Sequence, residues 1–162
     1  MRQRIGLGIG LGIATGVLVI GGSIGKAGDV VAAQEDAFQC TNATIRGTYG
    51  IQLQGRAPIP PMFGTGIQDV IGVVVRTYDG EGSFTQVDNI KGSISGIVPD
   101  RPGAGTYQIN ADCSGVALFQ PGPGITIEER MVVVQKGDEI RTISSSPLPF
   151  MVSAMHQRID KR

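Results

Sequence analysis

From Gly47 onward the chain is cut into short apolar or alternating runs, each bounded by glycine, proline, asparagine or aspartate, with no sustained 3.6-residue period. Side chains alternate across a strand with a period of two, so this pattern specifies antiparallel strands joined by tight turns and leaves little room for helix. The runs are Gly47 to Gln54, Ile67 to Tyr78, Ser83 to Ile90, Gly92 to Val98, Gly105 to Ile109, Gly115 to Phe119, Ile125 to Gln135, Glu139 to Ser144 and Met151 to Ile159. Between them, Tyr78 to Gly82 carries the Asp79-Gly80 pair that a tight hairpin uses for positive φ, and Lys136 to Asp138 can serve in the same way. Eight or nine short strands with internal glycines (Gly50, Gly72, Gly96) suit a sheet that bends sharply. The expected fold is all-β, an antiparallel barrel of about eight strands; a two-sheet β-sandwich uses the same signals and is the alternative.

Three proline-rich stretches, Arg56 to Gly64, Gln120 to Gly124 and Ser146 to Phe150, read as loops or edges because proline cannot donate to a sheet ladder. The first places Met62 and Phe63 either on the surface, where they can cap a barrel mouth or meet a partner, or folded back onto the core. Gly-Thr-Tyr occurs at Gly47 to Tyr49 and again at Gly105 to Tyr107, too short a phrase to establish a repeat.

Ahead of this region, Arg2 and Arg4 precede an uncharged run from Ile5 to Gly25, and Val31-Ala32-Ala33 offers small residues at the positions a signal peptidase reads. A cut before Gln34 is expected, which leaves a single domain of 129 of the 162 residues, 34–162. The apolar run approaches the ~20 residues of a bilayer span, so an uncleaved anchor is the alternative and the one expected route to a membrane. Cys40 and Cys113 are the only cysteines. In an exported chain one disulfide is the economical reading, against two free structural thiols. Removing Arg2, Arg4, Lys26 and Asp29 from the 14 basic and 14 acidic residues leaves 11 against 13. That mixed surface offers no footprint for nucleic acid. The expected location is the periplasm, the cell envelope or the medium.

The phrases Cys40 to Gly50, Tyr78 to Phe84, Gly105 to Gly115 and Lys136 to Ile140, in that order and spacing, resemble a group of small exported bacterial proteins of uncharacterised function. That group is similar to barrels of the allene oxide cyclase or lipocalin type, and the resemblance implies an eight-stranded barrel with a cavity. The phrases are mostly turn grammar, so no catalytic residue transfers with them.

Familiar chemistry is scarce. Gly21 to Lys26 has one residue too few for a phosphate-binding loop and Ala27 where Ser or Thr is needed, while Asp79 to Ser83 imitates a calcium loop but has Ile90 where the bidentate glutamate belongs. No metal site and no cofactor are expected. His156 is the only histidine and no Gly-x-Ser-x-Gly elbow accompanies it in the chain from Gln34 onward, so it is a weak catalytic candidate. Glu129 is more informative. Alternation through Ile125, Ile127, Glu129, Met131 and Val133 sets it on the apolar face of a strand, and Arg76 has a comparable place among Val70, Gly72, Val74 and Tyr78. An inward acid and an inward base can form a structural ion pair, anchor the polar end of a ligand, or exchange protons. Glu129, Arg76, Met131 and Tyr78 are the candidate ligand contacts, and Glu129 with His156 the candidate catalytic groups; a register with Glu128 inward reverses the assignment. The leading expectation is a binding module for an apolar or amphipathic small molecule. Its rivals are an isomerase or cyclase acting on a lipid-like substrate, and a surface interaction protein with a filled core.

Overall fold

The computed structural model describes residues 38–122 and 124–160. They form eight antiparallel strands in sequential order: β1 (Gly47–Pro58), β2 (Ile67–Tyr78), β3 (Ser83–Gly92), β4 (Gly96–Ile109), β5 (Ser114–Gly122), β6 (Ile125–Val134), β7 (Glu139–Ser146) and β8 (Met151–Arg158). β8 returns to pair with β1, from Tyr49 against Arg158 to Arg56 against Met151, and the sheet closes into a barrel. A sandwich would leave each sheet with two edges; here every strand has a neighbour on both sides. The expected leader and its cut before Gln34 lie outside the described residues.

One end of the barrel, the base, is built from the β2–β3, β4–β5 and β6–β7 turns and a 3-10 turn at Asn42–Ile45 that precedes β1. The Asp79 carboxylate accepts backbone N–H bonds from Glu81, Gly82 and Ser83 at 2.7–2.9 Å, so its alternating oxygens fasten a hairpin. The Cys40–Cys113 disulfide ties the segment before β1 to the β4–β5 turn, across 73 residues. Arg158, at the inner end of β8, reaches the carbonyls of Arg46, Thr44 and Gly137, the Tyr49 hydroxyl and the Asp138 carboxylate. Its guanidinium also lies over the Tyr49 ring, 4.8 Å from the centroid. The opposite end, the mouth, carries the proline-rich connections. There Met62 and Phe63 are 83% and 51% exposed, a surface position.

β4 corrects the strand list drawn from the sequence, where Gly92 to Val98 and Gly105 to Ile109 read as two strands. Gly92 instead ends β3, residues 93–95 make the turn, and Gly96 to Val98 join Gly105 to Ile109 in one strand that runs through Pro99 and Pro102. Prolines are tolerated because β4 meets β5 only from Ala104 onward, so its first half has a ladder on the β3 side alone. A bulge there sets Pro99 and Asp100 opposite Asn89, with Asp100 at φ 48°, and an Asn89 side-chain oxygen takes the Asp100 N–H at 3.2 Å. β1 also runs on to Pro58 and β5 to Gly122, beyond the expected ends, at the mouth where ladders need not be complete.

The inner wall explains Gly103 and Gly105. A Cβ on Gly103 would stand 2.5 Å from the Phe119 ring, and one on Gly105 would stand 2.4 Å from the Phe84 ring. Their bare backbone lets both aromatics lie across the lumen. With Tyr49, Tyr78, Tyr107, Ile109, Val133 and Ile140 they fill the base half of the barrel. Tyr78 meets the Tyr49 and Tyr107 rings edge to face at 5.5 and 5.0 Å.

Candidate functional site

Arg76 comes from the inner face of β2, two residues toward the mouth from Tyr78, where the aromatic layer ends. The residue is 3% exposed, and the Phe84 ring faces its guanidinium with the centroid 4.2 Å away. A buried guanidinium needs acceptors, and the wall supplies them. Nη1 and Nη2 donate to the two oxygens of Glu129 at 2.8 and 3.2 Å, Nε donates to Gln86 at 2.7 Å, and Nη1 also reaches the Tyr78 hydroxyl at 3.2 Å. Burial works against the charge of Arg76, yet Glu129 and Tyr78 outweigh it and hold the group protonated. The Tyr78 hydroxyl is pushed up to about 12, chiefly by burial.

The β6 alternation that points Glu129 inward is pinned by a bulge: Glu128 pairs with Ser146 and Glu129 with Ser144, so Ser145 is the extra residue. Ser145 donates to the Glu128 carboxylate at 2.8 Å and Arg130 pairs with the same oxygen, which keeps Glu128 on the outer face. The register with Glu128 inside is therefore not adopted.

The network extends in two directions. Gln86 donates to Asp88 at 3.0 Å, and Asp88, 1% exposed, takes two bonds from Arg101 at 2.9 and 3.1 Å. On the other side Arg76, which can only donate, leaves the Tyr78 proton free to go to His156 Nδ1 at 3.2 Å. Nε2 then carries the ring's hydrogen and gives it to the Thr142 hydroxyl at 3.3 Å. His156 is 1% exposed, and burial, followed by the nearby charge of Arg76, holds it well below its ordinary 6.5, so the ring is neutral. Two acids and two bases cancel inside the barrel. Among the described residues no buried side-chain nitrogen or oxygen lacks a partner, and no three His, Cys, Asp or Glu residues gather as metal ligands would.

Of the four candidate ligand contacts, Met131 and Tyr78 are buried toward the base at 2% and 1% exposure. Arg76 lies behind Glu129: their side chains are 4% and 15% exposed. Glu129 is thus the acid open to the lumen. Toward the mouth, the inward residues Leu53, Ile90, Ile127, Ser144, Val152 and Ala154 are only half-buried, although each faces the barrel axis. Inward yet partly exposed, they line a cup above its floor, the Arg76–Glu129 pair; the cup is closed on the β2 side, where Gln68 and Val70 are 5% and 6% exposed and Gln68 accepts the Ile94 and Ser95 N–H groups. His156, beneath that floor with both ring nitrogens engaged, does not line the cup. Sequence reasoning missed Gln86, Asp88, Arg101 and Arg158. The first two share the face of Phe84 on β3 and were open to the same alternation argument that found Glu129; Arg101 hides between two prolines.

No family model and no curated protein matches this chain. Among solved structures, an S-type phycobiliprotein lyase from Guillardia theta is similar at 9% identity with a TM-score of 0.41, over 75% of this chain and 92% of that one. The barrel rests on the strand pairing itself.

Two hollows are outlined in the surface. One of about 640 Å³ lies at the mouth, where it reaches from the inward Gly55, Val70, Ser144 and Val152 to Ile71, Ile143 and Met151 on the outer face, with the exposed Arg56–Asp69 pair at 3.7 Å beside it. The other, about 470 Å³, sits at the base around Asn42, Gly80 and Tyr107. Neither gathers a buried charge.

Proposed function

We propose that this chain is an exported binding module that takes a small amphipathic molecule into the mouth of its barrel, apolar body against the wall and polar end at Glu129. The observation that carries the reading is the half-buried state of inward apolar residues around Glu129, the one partly exposed inward carboxylate at that level among the described residues. Sites for small molecules have this make-up, an apolar concavity with a few placed polar groups. The disulfide fits an oxidising compartment, as the basic and apolar N-terminal sequence does for export. Acid–base catalysis is disfavoured because Arg76 already holds both oxygens of Glu129.

The test uses N-phenyl-1-naphthylamine, an uncharged dye that brightens in apolar surroundings. It should bind the purified protein at one site, and Ala154→Phe, which fills the cup, should weaken that binding by about tenfold or more without lowering the melting temperature. Equal binding to the variant would place the dye elsewhere and end the reading. Mass analysis of the exported form should show a chain that begins at Gln34.

A further inference from the structure

The floor of the cup dictates which polar end it can accept. Arg76 spends four of its five N–H groups, Nε on Gln86, Nη1 on Tyr78 and Glu129, and one of Nη2 on Glu129, and the side chain that carries the fifth is 4% exposed. What an entering molecule meets is the carboxylate, whose oxygens each take one bond from Arg76 and keep further lone pairs. A carboxylate in such a pair only accepts, so the arriving group has to donate. Charge narrows the choice. Arg76 cancels Glu129 and Arg101 cancels Asp88, and among the described residues no ionic partner remains for a third charge at the floor. An ammonium would bring an unbalanced cation into the lumen, and an anion would face the oxygens of Glu129; either loses its water without a matching partner. A hydroxyl donates, carries no charge and leaves both pairs intact.

We infer that the cup selects molecules with a neutral hydrogen-bond donor at the polar end, an alcohol on an apolar body, over carboxylates and amines of the same length. The inference rests on the binding reading above. Arg101, its side chain 35% exposed, is the rival anchor, and it would favour an acid.

Displacement of N-phenyl-1-naphthylamine at pH 7.5 by 1-decanol, decanoate and decylamine, each below its micelle concentration, decides between them. Decanol should displace half of the dye at a concentration about tenfold lower than either ion, the discrimination expected of one charge-assisted hydrogen bond. Glu129→Gln leaves Arg76 without its anion, so the ranking should invert, with decanoate ahead of decanol. The double replacement Arg76→Met with Glu129→Leu keeps the volume and removes both charges, and should bring the three within about threefold. Should Glu129→Gln fail to fold, the wild-type ranking and the double variant still decide. A wild-type protein that favours decanoate would assign the polar end to Arg101, one that favours decylamine would defeat the charge argument, and equal displacement by all three would leave the cup standing without this selectivity. Failure of the dye to bind at all would remove the binding reading itself, and the inference with it.

Discussion

The two halves of the lumen are made from the same eight strands and the same inward alternation, yet one is sealed and the other is open. Toward the base, large side chains meet: Tyr49, Tyr78, Phe84 and Tyr107 fill the barrel, and Arg158 and the Cys40–Cys113 disulfide close it from below. Toward the mouth the inward positions of β1, β7 and β8 carry Leu53, Gly55, Ser144, Val152 and Ala154, which cannot reach across, while on β2 Gln68 and Val70 are buried there. The Arg76–Glu129 pair marks the boundary. Stability is therefore expected to reside in the base and binding in the mouth, a division of labour that small barrels permit because a filled lower core frees the upper wall from packing.

Removing the base constraints should have the largest effects. Replacing Cys40 and Cys113 by serine frees a 73-residue separation and should cost about 4 kcal/mol in urea unfolding, the chain-entropy value. Arg158→Met strips the Arg46, Thr44 and Gly137 carbonyls and the Tyr49 hydroxyl of their shared donor, an expected loss of about 3 kcal/mol read as a lowered urea midpoint. If either costs no more than a change in the cup, the base is not the stabilising half.

The boundary itself should respond to pH through His156. In the folded chain the ring is neutral because burial and then Arg76 oppose its protonation, whereas the unfolded chain takes up the proton near 6.5. The contribution is whole above pH 6.5 and is lost as pH falls below it, at up to about 1.4 kcal/mol per pH unit. Urea midpoints at pH 7.5 and 5.5 should diverge in the wild type, and His156→Gln should flatten that difference. An equal slope in the variant would mean that other groups govern the acid side.

The smallest change is expected in the cup wall. Leu53→Ala removes a half-buried side chain and should cost about 1 kcal/mol, well under the 2–5 kcal/mol typical of a sealed core leucine. The same variant should weaken dye binding, sharpening the contrast with Arg158→Met, whose dye affinity should be unchanged wherever the protein remains folded.

Much of this was legible in the residue order. Strand periodicity, the Asp79 turn and the inward face of Glu129 are local facts of spacing, since the pleat allows each side chain one of only two faces. The alternation around Ile127, Glu129 and Met131 sets a carboxylate on the apolar face of its strand. Closure into a barrel rather than a sandwich was left open by the same pattern, because both architectures bury alternate residues. β4 was misread for a related reason: Pro99 and Pro102 break a strand wherever it is hydrogen-bonded on both sides, and nothing in the sequence says that the β5 side is vacant over that stretch.

What the tertiary structure alone decided is which residues meet across the lumen. Arg76 and Glu129 lie 53 positions apart, Tyr78 and His156 lie 78 apart, and their contacts depend on strand order and on register, including the bulge at Ser145. The sequence by itself assigned each side chain to a face. Only the closed sheet, by fixing the register of eight strands around a common axis, determined that the base would pack solid, that an ion pair would bridge its top, and that the wall above would stay open to solvent.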